Sequence, residues 1–139
     1  MKIDTFDLRT IYNSRVSPTV EAEVNGHRAA APSGASTGTH EALCFVPDDL
    51  AAIQSEMRDA VVGEDLTQAE FDRRLREVDG TDNFAEIGAV AIASSLAFAT
   101  ADGFDHGTTY PYPAGNLLGG GAHGGNTSIQ EFLVVPRSA

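Results

Sequence analysis

Thr19-Val20-Glu21-Ala22-Glu23-Val24, then Asn25-Gly26, then His27-Arg28-Ala29-Ala30-Ala31, is the stretch that decides the fold. The first six residues alternate apolar and polar, which puts Val20, Ala22 and Val24 on one face of a strand. Asn-Gly is the pair favoured in a two-residue type I′ turn, because both central positions need a positive φ. His27 to Ala31 then returns as the partner strand. Residues 3–11, with Phe6, Leu8 and Ile11, supply a third strand with less regular alternation. The expectation is a three-stranded antiparallel meander.

Beyond the meander the period changes. From Asp48, the apolar residues Leu50, Ile53, Met57 and Val61 recur at spacings of three and four, one face of a helix that Gly63 would end. Thr67-Gln68-Ala69-Glu70 is a capping-box pattern, followed by Phe71, Leu75 and Val78 on one stripe. A third helix, about 84–101, is rich in Ala, Gly and Ser and has no clean polar face. Small residues let backbones approach closely, so this is expected to be the most buried helix. The class is therefore α+β, a meander followed by a helical bundle. After Gly103 comes a linker-like stretch ending Tyr110-Pro111-Tyr112-Pro113, then the glycine run 119–125, then a short apolar strand, 129–136. That strand has nothing later to pair with, as if a second domain began there.

Charge and composition exclude several classes of function. Twenty acidic residues oppose nine basic ones, a net −11, and Lys2 is the only lysine. So acidic a surface repels phosphate backbones, which disfavours nucleic-acid binding. With almost no lysine it looks like adaptation to concentrated salt, where carboxylates keep a protein hydrated; a merely acidic protein is the alternative. The single cysteine, Cys44, argues for a reducing compartment and reads as a small apolar residue. No run approaches the ~18 apolar residues of a membrane span, and Met1-Lys2-Ile3-Asp4 lacks the blocks of a signal peptide. The expected location is cytoplasmic, with no membrane partner.

Four places can carry chemistry. Pro32-Ser33-Gly34-Ala35-Ser36-Thr37-Gly38 is dense in hydroxyls and free of bulky side chains. Such a loop can close over an anionic or metal-bound substrate, its glycines hinging and its oxygens ligating hard cations; the plain alternative is a strand-to-helix connection. Gly119, Gly121 and Gly124 match G-x-G-x-x-G only weakly, because no strand–helix unit with a downstream acid surrounds them. His123, flanked by Ala122 and Gly124, is a poor core histidine and is either solvated or functional. Glu131, inside an apolar strand, either faces water or points into a site. Tyr110 and Tyr112 read as packing residues and His27 as a surface strand residue.

Taken in order, these segments resemble enolase, the phosphopyruvate hydratase of glycolysis, in a form typical of archaeal members, and the acidic, lysine-poor surface points within them to a haloarchaeal type. Asn13-Ser14-Arg15 with Pro18-Thr19-Val20-Glu21 looks like the family's opening strand motif. Pro32 to Gly38 followed by Thr39-His40-Glu41-Ala42-Leu43 is close to its mobile lid. Asp79-Gly80-Thr81-Asp82-Asn83, then Ile87-Gly88-Ala89, resembles the turn into its last N-domain helix. Gly119 to Gly125 with Gln130-Glu131-Phe132-Leu133 resembles the segment entering its barrel. Val16-Ser17 in place of the usual Gly-Asn, a short stretch at 102–110, and a His123–Glu131 spacing one residue short are departures.

The resemblance implies roles residue by residue. Ser36 would supply oxygens to a second Mg²⁺, His123 would stand near the substrate phosphate, and His40 would sit just behind the lid. Gln130 would approach the reacting end of 2-phosphoglycerate. Glu131 would belong to the acid side of the site, helping expel the 3-hydroxyl as water on the way to phosphoenolpyruvate. Arg15 would hold the N-terminal domain against the barrel. Residues 1–104 would be the N-terminal domain, and 105–139 the linker, glycine-rich loop and first strand of a truncated barrel. The family's base, a lysine, and its three acidic metal ligands lie on later barrel strands. Here the lone lysine is Lys2, and after Asp105 the only carboxylate side chain is Glu131. A complete barrel needs roughly 250 residues. The chain alone is expected to be inactive: part of an enolase-type lyase, or alternatively an inactive stand-alone binding or assembly module. A weaker third possibility is an anion-binding glycine-rich domain. An edge left without its barrel would favour a homodimer.

Overall fold

The computed structural model describes residues 1–34, 38–103 and 111–137. The fold is α+β, with a three-stranded antiparallel sheet ordered β1-β2-β3 and three helices beside it. Strand β1 (Phe6–Tyr12) pairs with β2 (Pro18–Val24) from Phe6↔Val24 to Tyr12↔Pro18, and β2 pairs with β3 (His27–Ala30). At the β2–β3 turn Asn25 has φ 49° and Gly26 φ 82°, the two positive values its type I′ reading requires. Asn25 does more than turn the chain. Its side-chain oxygen accepts the N–H of Asp4 and Thr5, and its amide nitrogen donates to the Lys2 carbonyl. The first three residues are consequently not part of the strand: Ile3 exchanges backbone hydrogen bonds with Gly63 and Glu64, and Lys2 bridges to Asp65.

Val20, Ala22 and Val24 are fully buried, as their alternation requires, and face α3 (Ala89–Ala101). That helix buries Ala89, Val90, Ala91, Ala93, Ser94, Ala97 and Phe98, so its small residues do bring it close to the sheet. Helix α1 (Leu50–Val61) starts at Asp49, whose carboxylate accepts the Ala52 N–H at 2.9 Å, and lies along β1. Gln54 on α1 accepts the Leu8 N–H, while Arg58 donates to the Phe6 carbonyl and pairs with Asp7. Helix α2 (Gln68–Asp79) has the complete Thr67–Glu70 capping box and ends at Gly80 in the left-handed region. Phe71 of α2 stacks on Phe98 of α3 with ring centroids 4.5 Å apart. Met57, Val61, Leu75 and Ile87 complete this core.

The third helix starts at Ala89, not near 84 as its composition suggested. Phe84 (φ 57°) and Gly88 (φ 54°) are both left-handed, which no α-helix accommodates. The intervening turn is organised by Asp79, which is only 5% exposed. Its two oxygens accept the Thr81 N–H and hydroxyl on one side and the Glu86 and Ile87 N–H on the other. Burial pushes the Asp79 carboxyl upward, but the Thr81 hydroxyl and the three backbone N–H groups outweigh it and hold it below its usual range.

The C-terminal stretch corrects a second expectation. The apolar strand is β5, Glu131–Val134, shorter than 129–136, and its partner comes before it in the chain. That partner is β4 (Gly115–Gly119), antiparallel to β5 with a register shift between Asn116 and Leu118. The chain divides into two compact units, one comprising Met1–Ser33 and Thr39–Asp105, the other Gly34–Gly38 and His106–Ala139. No helix among the described residues is long and apolar enough to cross a membrane.

Candidate functional site

Within the second unit, the glycine run is a consequence of backbone crowding. Gly120 lies against Thr127 and the Ile129 carbonyl, and Gly125 against the backbone of Gly119 and Gly120, so close that no Cβ fits at either position. Gly120 N–H donates to the Gln130 carbonyl at 2.8 Å and Gly121 N–H to the Thr127 carbonyl at 2.9 Å. Between them the 3₁₀ turn η1, Gly121–His123, reverses the chain and ends at Gly124 with φ 83°. The strand entering this run is followed by a three-residue turn and an antiparallel partner. This is not the strand–helix unit of a dinucleotide site.

The same crowding gathers three sequence-identified residues at one end of the hairpin. His123 closes η1, Gln130 is bonded through its carbonyl to Gly120, and Glu131 opens β5 opposite Gly119. Gln130 and Glu131 are exposed. Strand β4 holds this arrangement and shows no alternation: Gly-Asn-Leu-Leu-Gly carries neither the β-branched residues nor the period that marks a strand.

The remaining site residues belong elsewhere. Ser36 lies outside the described residues. His40 is exposed, in the irregular segment between the Pro32–Gly38 loop and α1. Asn13 holds the turn that carries Arg15, its side-chain oxygen accepting the N–H of Arg15 and of Ser17 and its amide donating to Ser33 Oγ. Two smaller expectations change. Cys44 is exposed rather than packed, its thiol 3.5 Å from the Pro32 carbonyl, and Tyr112 is exposed while Tyr110 lies outside the described residues. His27 is a surface strand residue as expected. Among the described residues no group of three His, Cys, Asp or Glu side chains is placed to hold a metal ion. These residues do not make up a complete Mg²⁺ centre.

Comparison with known proteins supplies the family. The model of the enolase N-terminal domain matches residues 3–110. The chain belongs to the enolase family. An enolase of Archaeoglobus fulgidus is 42% identical over an alignment of 158 residues covering 100% of this chain and 40% of that protein. Enolases of Methanosphaera stadtmanae and Haloquadratum walsbyi are 40% and 42% identical, each covering 99% of the chain and 39% and 40% of their own lengths. This enolase-family chain thus spans about two-fifths of the length of these three archaeal relatives. The α+β fold of the first unit is the one expected of the enolase N-terminal domain.

Proposed function

We propose that this chain supplies the N-terminal part of an enolase, a carbon–oxygen lyase converting 2-phosphoglycerate to phosphoenolpyruvate and water. The observation that carries this reading is the alignment with archaeal enolases, which covers the chain from end to end rather than the first unit alone. Removing a proton α to a carboxylate needs a base and a way to stabilise the dianion that forms. Neither the lysine base nor the main Mg²⁺ ligands have counterparts among these residues: the lone lysine, Lys2, lies in the first unit with its Nζ 3.8 Å from Asp4, and Glu131 is the single acid after Asp105. Those groups belong to a barrel beyond these residues.

This chain's own contribution is on the acid side. Glu131 gives a proton to the departing 3-hydroxyl, Gln130 orients that end of the substrate, and His123 meets the phosphate. The placement of all three at one hairpin end supports such a division of work. When a second Mg²⁺ is bound, Ser36 would supply oxygens to it, with His40 behind the loop and Arg15 holding residues 1–104 against the barrel. Residues 105–139 begin that barrel. The protein works in the cytoplasm as a homodimer. The apolar side chains exposed along β4 and β5, among them Leu117, Leu118, Phe132, Leu133 and Val134, support association.

The test is complementation. Mixing this chain with the barrel portion of an archaeal enolase is expected to restore Mg²⁺-dependent formation of phosphoenolpyruvate. Glu131→Gln is expected to lower kcat by about 10²–10⁴-fold, the usual range for losing a general acid. A mixture that binds but never turns over would instead support the stand-alone module. Phosphate-ligand affinity of this chain without any barrel would support the anion-binding alternative.

A further inference from the structure

The turn between α2 and α3 is costly to build. Within nine residues Gly80, Phe84 and Gly88 all have positive φ, and at Phe84 a bulky side chain bears that strain. Such a conformation persists only where surrounding bonds overdetermine it. Here they do. The Asp79 carboxylate takes three backbone N–H groups and the Thr81 hydroxyl, and the Thr81 oxygen takes the Ala85 N–H at 2.8 Å. Arg76 lies over the Phe84 ring at 5.3 Å.

The strained turn and the first residue of α3 each offer one backbone group to the same distant segment. The Asn83 carbonyl accepts the Leu43 N–H at 3.0 Å, and the Ala89 N–H donates to the Phe45 carbonyl at 2.9 Å. Gly88 makes the second contact possible: a Cβ there would fall 2.7 Å from the Phe45 carbonyl oxygen and 2.8 Å from its ring. Within the segment Leu43 is 45% and Phe45 37% exposed and Cys44 lies on the surface, while Val46 packs partly buried against the core. Two of the hydrogen bonds that hold it therefore end in or beside the turn that Asp79 organises.

We propose that Asp79 is a positioning residue for the His40-bearing segment Thr39–Val46, acting through the strained turn 80–88 and its bonds to Leu43 and Phe45. That His40 is thereby placed for substrate rests on the enolase reading; the mechanical link does not. Hydrogen–deuterium exchange of this chain, followed by NMR, tests it. In Asp79→Asn the side-chain NH₂ cannot accept an N–H, so part of the turn's bonding is lost.

The expected result is exchange faster by about tenfold or more at the Leu43 and Ala89 amides, with the β2 amides unchanged; one hydrogen bond is worth about that factor. Thr81→Val, which keeps the carboxylate, should produce the same selective pattern more weakly, and carries the test if Asp79→Asn does not fold. The proposal is overturned if Leu43 and Ala89 keep their protection while Glu86 and Ile87 lose theirs. It is equally overturned if the β2 amides accelerate as much as Leu43, which would make Asp79 a general support of the fold. Turnover in the complementation assay is a separate readout. Its absence in the unsubstituted chain would remove the enolase reading and leave the exchange pattern standing.

Discussion

Val16 occupies the left-handed region at φ 59° with its side chain 79% exposed. For a β-branched residue this backbone is costly, about 1–2 kcal/mol, and almost no packing compensates it. It sits in a turn closed by Asn13, whose backbone N–H donates to the Ser17 carbonyl and whose carbonyl accepts the Val16 N–H. Val16→Gly is expected to stabilise the chain by about 1 kcal/mol after glycine's own entropic cost, raising Tm by about 4 °C. Thermal unfolding followed by circular dichroism checks this, and an unchanged or lower Tm would mean the turn relaxes without strain. Val16 was visible in the sequence as a departure from the family's Gly-Asn. Its φ was not, because a positive φ at a non-glycine depends on what closes the loop. Phe84 is the second case: its strain is tied to Asp79, five residues away, which no local pattern signals.

The elements with a side-chain period or a capping chemistry of their own were legible. Helix α2 is the clearest: Thr67 Oγ accepts the Glu70 N–H, and Glu70 Oε2 accepts the Thr67 N–H at 2.9 Å. The Thr67 N–H, then the Thr67 hydroxyl, hold the Glu70 carboxyl below its usual range. Thr67→Ala is expected to cost about 1 kcal/mol, the usual value of an N-cap, and a urea titration should show a lower midpoint with unchanged slope. A slope that fell as well would point to a change in the unfolded state or a loss of two-state behaviour. Helix α3 shows where such signals end. Its composition announced burial correctly, yet its start was displaced from 84 to Ala89 by hydrogen bonds from outside the helix. Strand β4 had no signal, being two leucines and an asparagine between glycines. Its pairing with β5 exists because residues 120–130 fold back tightly enough for Gly120 to reach Gln130.

At the scale of the molecule, charge dominates. A net −11 on 139 residues is offset locally by pairs such as Arg28–Glu23 at 2.5 Å and Arg74–Glu77 at 2.9 Å, but twenty acids face only nine bases. Surface pairs of this kind contribute little, whereas unpaired carboxylates repel one another across the whole surface. Raising KCl from about 0.1 M to 1 M shortens the screening length from about 10 Å to about 3 Å. Tm is therefore expected to rise with KCl, and a fall would show that the arginine pairs outweigh the repulsion and would remove the case for salt adaptation. Differential scanning calorimetry across the series measures it.

The chain's order of residues was enough to establish the α+β class, the β2–β3 turn, the α2 cap and the enolase kinship. Each of these rests on contacts between near neighbours or on motifs contiguous in the chain. Tertiary structure was needed for the start of α3, for β4, and for the gathering of His123, Gln130 and Glu131 at one hairpin end. It was needed too for the link from Asp79 to Leu43 and Phe45. These depend on where distant backbone groups meet, and a carbonyl or N–H is the same in every residue but proline, so sequence leaves no mark of which ones will pair.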